Sequence, residues 1–200
     1  MTDDGGDEKL IIRYALSRSM LGRMLVARTD RGICYAAFGD EPRALERALR
    51  GRFMGVRIER DDTGLKDAVQ TVTRMLCCAD DDVRPALDLR GTPFQLEVWK
   101  LLRTIPPGRK ATYTELARKM GRPRAVRAVA NACAANPVAV VVPCHRVVRS
   151  DGGLGGYYWG LERKRRLLQW EADMVQKPRD GNSAKGQRGN ARRLPARGPG

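Results

Sequence analysis

The sequence predicts an α/β fold of the α+β kind, with a strand-rich N-terminal lobe and a mostly helical C-terminal lobe. In the first 90 residues, short apolar runs alternate with turn residues, which is typical of strands joined in hairpins. After Gly91, two helix-start motifs precede apolar residues at helical spacing. Charge divides the chain at the same place, since residues 1–90 hold 16 Lys/Arg and 16 Asp/Glu, whereas residues 91–175 hold 15 and 6.

The N-terminal lobe, residues 1–90, is predicted to contain a hairpin and two helices. Thr29-Asp30-Arg31-Gly32 has the composition of a turn and separates two apolar runs. Pro42 fits the first turn of the next helix, where an N–H group is not needed. The predicted strands are Leu10–Leu16, Met24–Ala27, Ile33–Phe38 and Val56–Glu59, and the predicted helices are Asp40–Arg50 and Leu65–Cys78. Asp80–Asp82 is predicted to form a loop and Val83–Leu89 a short extended segment.

The C-terminal lobe, residues 91–175, contains two capping boxes, in which a threonine and a Gln or Glu three residues later cap each other's backbone N–H groups. Thr92-Pro93-Phe94-Gln95 begins one helix, and its proline suits the first helical position. Thr112-Tyr113-Thr114-Glu115 begins a second helix, which Gly121 ends. Further predicted elements are a helix Arg124–Ala135, a buried extended run Val138–Val142, a glycine-rich loop Gly152–Gly160 and a last helix Leu161–Met174.

Composition and charge restrict the class of protein. No apolar run among the 200 residues is long enough to cross a membrane, and the acidic N-terminus is unlike a signal peptide, so we expect a cytoplasmic protein. Residues 176–200 hold 7 Lys/Arg and 1 Asp/Glu with few large apolar side chains, which predicts a disordered basic tail. The formal charge of +15 lies in the second half of the chain. This favours a nucleic acid partner over a merely basic solvated surface.

The five cysteines and the single histidine do not form the clusters that metal sites require. No two cysteines have C-x-x-C spacing, and the adjacent Cys77 and Cys78 are poorly placed to bridge each other. An odd number of cysteines in a cytoplasmic chain indicates free thiols. We therefore expect no metal and no cofactor.

Residues 112–135 have helix-turn-helix spacing, with a short helix, a glycine turn and a second helix. Arg122, Arg124 and Arg127 lead the second helix, and small residues such as Ala128 would let its surface approach a DNA groove closely. An ordinary helical hairpin is the alternative interpretation.

Cys144 directly precedes the only histidine, His145. A thiol at its ordinary pKa is mostly protonated at neutral pH, so a reactive cysteine needs a base or a positive neighbour. Adjacent side chains often diverge, and a buried structural cysteine beside a surface histidine is the alternative.

The residues around this pair resemble the active-site signature of the O6-alkylguanine-DNA alkyltransferases. The signature is Pro143-Cys144-His145-Arg146-Val147-Val148, preceded by Asn136-Pro137. The resemblance extends from about Leu10 to Met174 and is strongest with the C-terminal half of bacterial adaptive-response methyltransferases. Further matching segments are Arg90–Thr92, Arg103–Pro106, Ala125–Ala130 and Cys133–Asn136. The family implies a ribonuclease-H-like N-terminal lobe and a helix-turn-helix C-terminal lobe that repairs alkylated double-stranded DNA.

The resemblance implies a role for each of five residues in a single-turnover transfer. Cys144 takes the alkyl group from O6-alkylguanine, or O4-alkylthymine, after the base has flipped out of the duplex. His145 activates Cys144 through a bound water, and Glu171 orients the histidine. Asn136 holds the active-site backbone, and Tyr113 rotates the target phosphate and protonates the departing guanine.

The resemblance also implies which residues contact DNA and the base. Arg127 matches a finger that fills the base stack after flipping. The expected DNA contacts are Arg127, Arg124, Ala128, Tyr113 and Arg146, and the expected pocket residues are Val147, Tyr157, Tyr158, Gly155 and Gly156. The N-terminal lobe has balanced charge, so we predict that it braces the other lobe and does not touch DNA.

The chain departs from the family in two features, and two alternative functions compete with this interpretation. The chain lacks the N-terminal zinc ligands of some family members and the upstream four-cysteine module of the adaptive-response proteins, so we expect neither zinc nor a direct transcriptional role. A non-catalytic DNA-binding sensor is one rival, although such sensors replace the cysteine that this chain retains as Cys144. A cysteine hydrolase is the other, although the resemblance offers no step that would free the cysteine. We expect a monomer.

Overall fold

The computed structural model describes residues 10–78 and 83–176, and the sequence-based expectations for Asp80–Asp82 and residues 177–200 lie outside this part of the chain. The N-terminal lobe is a four-stranded mixed sheet with two helices. Its elements are β1 (Ile11–Ser19), β2 (Gly22–Thr29), β3 (Gly32–Gly39), α1 (Pro42–Arg52), β4 (Arg57–Arg60) and α2 (Lys66–Cys78). The strand order is β3-β2-β1-β4, with β2 antiparallel to β1 and β3, and β4 parallel to β1.

The β2–β3 hairpin confirms the turn predicted at Thr29-Asp30-Arg31-Gly32, since Thr29 and Gly32 pair across it. Apolar residues one helical turn apart bury both helices of this lobe against the sheet. These residues are Leu45 and Leu49 of α1, and Val72 and Leu76 of α2.

The C-terminal lobe is mostly helical. Its elements are α3 (Pro93–Leu102), β5 (Ala111–Thr112), α4 (Tyr113–Lys119), α5 (Val126–Ala134), the 3-10 turn Cys144–Arg146, β6 (Val147–Val148) and α6 (Leu161–Gln176). Both predicted capping boxes are confirmed, because the hydroxyls of Thr92 and Thr112 accept from the backbone N–H of Gln95 and Glu115. The short parallel pair β5–β6 was not predicted from the sequence.

Two sequence-based predictions in this lobe are wrong. The helix expected to begin at Arg124 begins at Val126, because the preceding residues form a turn in which Ala125 N donates to Arg122 O at 2.9 Å. The run 138–142 is not extended, because it folds into a turn in which Val142 N donates to the carbonyl of residue 138 at 3.0 Å. Val140 has a φ of 68°, a conformation unusual for a β-branched residue.

The outer edge of β3 holds two other segments of the chain. Ile33 exchanges two backbone hydrogen bonds with residues 86–88, at 2.9 and 3.0 Å. Ala36 exchanges two with residues 137–139, at 3.0 and 2.9 Å. The first segment is the linker between the lobes and the second leads to Cys144, so the sheet of one lobe fixes backbone of the other. Within residues 10–78 and 83–176, no helix combines the length and apolar character needed to span a bilayer.

Candidate active site

Asn136 closes the turn that carries Cys144. Its Oδ1 accepts from Val138 N at 3.0 Å, and its Nδ2 donates to Val142 O at 2.7 Å and to Cys144 Sγ at 3.1 Å. One amide side chain thus satisfies backbone groups at both ends of the turn. It also places a donor on the sulfur, where it favours the thiolate over the thiol.

Cys144 lies inside the protein, with 5% of its surface exposed. Burial raises the pKa of its thiol to about 11, although the Asn136 hydrogen bond and the positive charge of Lys164 act in the opposite direction. The resting cysteine is therefore a thiol, and a neighbouring base must take its proton before it can act as a nucleophile.

His145 is fully buried and its Nε2 lies 2.8 Å from Glu171 Oε1. An ionised carboxylate can only accept, so we assign the proton to Nε2 and the lone pair to Nδ1. Nδ1 is buried and has no hydrogen-bond partner among the described residues. Burial lowers the pKa of the imidazole, and the bond to Glu171 opposes this only in part. The ring is thus neutral at pH 7, with its basic nitrogen directed away from the carboxylate.

Glu171 is the centre of a buried network. Besides His145, its carboxylate accepts from Arg146 Nε at 3.1 Å, from Arg146 Nη2 at 2.8 Å and from Gly108 N at 3.2 Å. Burial would raise the pKa of this carboxyl, but the bonds and charges of His145 and Arg146 outweigh burial and lower it to about 2. Glu171 therefore stays ionised and can stabilise a positive charge on the imidazole.

The structure does not support the sequence-based assignment of Arg146 to DNA contact. Only 6% of its surface is exposed, because its guanidinium is held between Glu171 and the carbonyl of Ile105. A guanidinium committed to a buried carboxylate cannot reach a phosphate. Its guanidinium instead bonds to both oxygens of the Glu171 carboxylate and so helps to fix the orientation that His145 meets.

Lys164 is a buried cation that sequence analysis missed. Its ammonium donates to Val147 O at 2.6 Å and to the carbonyls of Leu154 and Gly156. The run Glu162–Arg166 reads as a solvated charged segment. Helical spacing could have predicted that Lys164 is buried, since it lies three, four and seven residues before the other buried residues of α6. Those residues are Leu167, Leu168 and Glu171.

Two aromatic residues of the glycine-rich loop pack in series beside the histidine, and only the first of them contacts it. The Tyr157 ring lies edge-on to His145, with centroids 6.5 Å apart, and the Trp159 ring lies 5.2 Å from Tyr157. The Tyr157 hydroxyl and Trp159 Nε1 are buried without a hydrogen-bond partner among the described residues. Tyr158, predicted to line the pocket, is 68% exposed, whereas Trp159 is buried and packs edge-on against it with centroids 5.5 Å apart.

Tyr113 begins α4 and faces the same loop. A Cβ atom on Gly155, whose φ is +68°, would lie 2.9 Å from the Tyr113 hydroxyl, so this glycine permits a close approach. Burial raises the pKa of Tyr113 to about 12, with further contributions from Cys133 and Cys144. The phenol remains protonated and is therefore a hydrogen-bond and proton donor. Val147, also predicted to line the pocket, is fully buried beside β5.

The two helices of the helix-turn-helix motif, α4 and α5, pack on each other. Arg127 and Ala128 are exposed in the first turn of α5 and Arg124 is exposed in the turn before it, where the sequence predicted a DNA-contacting surface. Arg122 differs from them, because it pairs with Glu97 at 3.0 Å and its guanidinium lies 5.4 Å from the centroid of the Phe94 ring. Within the described parts of the chain, no three His, Cys, Asp or Glu side chains are arranged to hold a metal ion.

Comparisons with known proteins cover both lobes. Residues 12–76 match the family described as the ribonuclease-like domain of 6-O-methylguanine DNA methyltransferase. Residues 93–173 match the family described as the DNA binding domain of 6-O-methylguanine DNA methyltransferase. The fold is therefore α+β, with a ribonuclease-like N-terminal lobe, as the sequence predicted.

Individual relatives extend this result. The chain is 47% identical over 168 residues to the bifunctional transcriptional activator/DNA repair enzyme Ada of Escherichia coli, covering 84% of this chain and 48% of Ada. It spans about half the length of the first curated relatives that it matches. It is 37% identical to the inducible methylated-DNA--protein-cysteine methyltransferase of Bacillus subtilis, over 73% of this chain and 82% of that protein.

A solved structure shows the same architecture. The crystal structure of Mycobacterium tuberculosis OGT in complex with DNA superposes with a TM-score of 0.68 at 33% identity, covering 81% of this chain and 94% of that one. Sequence matches in both lobes, a relative covered over most of its length and this structural likeness agree, and the chain belongs to the 6-O-methylguanine DNA methyltransferase family.

Proposed function

We propose that this protein repairs alkylated double-stranded DNA by transferring the alkyl group from O6-alkylguanine, or O4-alkylthymine, to Cys144, once per molecule. The observation that carries this proposal is a pair of buried hydrogen bonds, one from Asn136 to the sulfur of Cys144 and one between His145 and Glu171. They place a hydrogen-bonded thiol next in the chain to a neutral imidazole that a carboxylate supports. The Bacillus subtilis relative is a methylated-DNA--protein-cysteine methyltransferase, and Ada of Escherichia coli is a DNA repair enzyme, which supports this proposal.

The proposed reaction is a nucleophilic displacement at the alkyl carbon. The thiol proton of Cys144 passes to Nδ1 of His145 through a water molecule, and Glu171 stabilises the resulting imidazolium. The thiolate attacks the alkyl carbon, so that an S–C bond forms while the bond from carbon to O6 breaks. The guanine leaves with the electron pair and takes a proton from the Tyr113 hydroxyl, and the proton held by His145 then returns to Tyr113 through solvent, so that only Cys144 is changed. The product is a thioether, and no group in the described site can remove it.

The fold supplies surfaces for the two substrates of this step, the duplex and the flipped base. The exposed Arg124, Arg127 and Ala128 lie at the start of α5, where small and cationic side chains can approach phosphate and fill a gap in the stack. The unpartnered Tyr157 hydroxyl and Trp159 Nε1 are polar groups that a purine can satisfy. Extrusion of the base costs a few kcal/mol, which such contacts offset.

We further propose that the C-terminal lobe, residues 91–175, carries all of this chemistry while residues 1–90 support it. The support acts through the edge of β3, which holds residues 137–139. The protein acts as a monomer in the cytoplasm, and the transfer proceeds without a metal or a cofactor.

Mass spectrometry of the intact protein after incubation with duplex O6-methylguanine DNA tests this proposal. We expect one added methyl group per molecule, located on Cys144. Trypsin leaves Cys133 and Cys144 in one peptide, residues 128–146, so fragment ions that separate the two cysteines are required. A Cys133→Ala variant is the matched control and should still gain one methyl group. A bound duplex with unmodified protein, or a methyl group on Cys133, would contradict the proposal.

The pH dependence of transfer follows from the shifted pKa values. The pKa of His145 lies below its ordinary value of 6.5 and that of Cys144 is raised from 9.0 to about 11. The imidazole is therefore able to accept a proton above pH 6.5, while the thiol stays protonated beyond pH 9.0. We expect the single-turnover rate constant to be flat from pH 6.5 to 9.0 and to fall only at lower pH, where His145 becomes protonated. A rise of roughly tenfold per pH unit across this interval would instead indicate a thiolate formed without an internal base.

A further inference from the structure

Arg163, in the first turn of α6, joins the pocket loop to the N-terminal lobe. Its Nη1 donates to Trp159 O at 3.1 Å. Its Nε donates to Leu21 O at 2.9 Å, in the turn between β1 and β2, and its Nη2 pairs with Asp40 Oδ1 at 2.5 Å, between β3 and α1. One guanidinium therefore connects three separate parts of the chain.

The Arg163 side chain is mostly buried where it makes these three contacts. The Arg163 side chain is 19% exposed, although its partner Asp40 is 85% exposed. Gly22, whose φ is +103°, lies directly beside the guanidinium, and a Cβ atom there would be 3.5 Å from Nη2. The tight turn between β1 and β2 thus leaves the Leu21 carbonyl accessible to the arginine.

Two adjacent cations of α6 hold the two ends of the pocket loop, residues 154–159. Lys164 binds the carbonyls of Leu154 and Gly156 at the start of the loop. Arg163 binds the carbonyl of Trp159 at its end. Between them, the ring of Tyr157 packs edge-on against both Trp159 and His145.

We infer that Arg163 is a positioning residue, which uses the N-terminal lobe as a fixed support for Trp159 and thereby sets the wall of the base pocket. This inference rests on the proposed alkyl transfer and adds to it. The N-terminal lobe then determines not only where Cys144 lies, through β3, but also how closely the pocket fits the alkyl group.

Arg165 provides a matched control on the same helix. It is 61% exposed and its contact is with the exposed Glu162, within the same turn. Arg163→Met and Arg165→Met remove the same charge from α6, so their effect on long-range attraction of DNA is equal. Arg163→Lys keeps the charge but cannot reach all three acceptors, and serves as the conservative variant.

The experiment compares these variants with the wild type on duplexes that contain O6-methylguanine or O6-benzylguanine. Single-turnover rate constants are measured over a range of duplex concentrations, and hydrogen–deuterium exchange of residues 154–160 is followed without DNA. For Arg163→Met we expect faster exchange in this segment, a maximal methyl-transfer rate constant lowered about tenfold and a lower ratio of methyl to benzyl transfer. The duplex concentration that gives the half-maximal rate should stay within about twofold of the wild type. Arg163→Lys should lie between Arg163→Met and the wild type.

The inference is overturned if Arg163→Met matches Arg165→Met in exchange, in maximal rate constant and in the ratio of the two substrates, whatever happens to its melting temperature. The exchange measurement does not depend on chemistry. A wild-type protein that transfers no alkyl group would therefore refute the proposed function, while the exchange of residues 154–160 would still decide whether Arg163 holds the loop.

Discussion

A Cys144→Ala variant is expected to transfer no alkyl group and yet to bind the alkylated duplex as tightly as the wild type, within about twofold. The sulfur is the only heavy atom lost, and it is buried, whereas Arg127 and Ala128 of α5, which we propose to contact DNA, are exposed and unchanged. We expect Cys133 not to replace it, because burial raises the pKa of that thiol and the hydrogen bond from Asn136 goes to Cys144. Mass spectrometry measures transfer, and fluorescence anisotropy of a labelled duplex measures binding.

The control for this experiment is Cys34→Ala, which removes another buried thiol, in the N-terminal lobe, and should leave both transfer and binding unchanged. Residual transfer by Cys144→Ala would show that another nucleophile accepts the alkyl group. If the variant retained full protection of alkylated DNA while making no covalent bond, the sensor interpretation would be correct.

Glu171→Gln should slow transfer by about a thousandfold or more, because a neutral amide neither fixes the Nε2–H tautomer of His145 nor stabilises its cation. It should also lower the free energy of unfolding by about 3 kcal/mol, because the guanidinium of Arg146 would remain buried without its counter-charge. Quenched single-turnover kinetics and urea unfolding measure the two effects. The matched control is Glu162→Gln, on the same helix, whose partner Arg165 is exposed. Its effect on unfolding should be below about 1 kcal/mol.

Glu171→Gln should also change how the free energy of unfolding depends on pH in acid. The Glu171 pKa is lowered from 4.5 to about 2 in the folded protein, so its contribution to stability is fully present above pH 4.5 and is lost as pH falls towards 2. The difference in stability between the wild type and Glu171→Gln should therefore shrink across that interval. A transfer rate within tenfold of the wild type, or a stability difference that does not change with acid, would contradict the role assigned to this carboxylate.

Features that depend on neighbouring residues in the sequence could be predicted. The capping boxes at Thr92 and Thr112 were predicted from four-residue motifs, because both members of each pair lie within one turn. The hairpin at Thr29–Gly32 was predicted in the same way. The run 138–142 was not, since its β-branched residues favour a strand and only the side chain of Asn136 makes the observed turn favourable.

The site shows the same division between local and distant partners. The resemblance indicated Cys144 and His145, and the structure brings Glu171 against His145 from 26 residues further along the chain. The resemblance did not indicate that the Arg146 side chain turns inward, because its orientation depends on a carboxylate 25 residues away in the chain. Lys164 was missed for a related reason, since its carbonyl partners, in β6 and in the loop before α6, are brought to it only in the folded chain.

The pairing of residues 137–139 with the outer edge of β3 affects how the protein unfolds. The carbonyl of Pro137 and the N–H of Ala139 bond to Ala36 of β3. A fragment that began at residue 91 would lose both of these hydrogen bonds directly beside Asn136, at a cost of about 0.5–1.5 kcal/mol each. We therefore expect the two lobes to unfold as one cooperative unit, and a chain that lacks β3 to hold Cys144 less firmly than the intact protein.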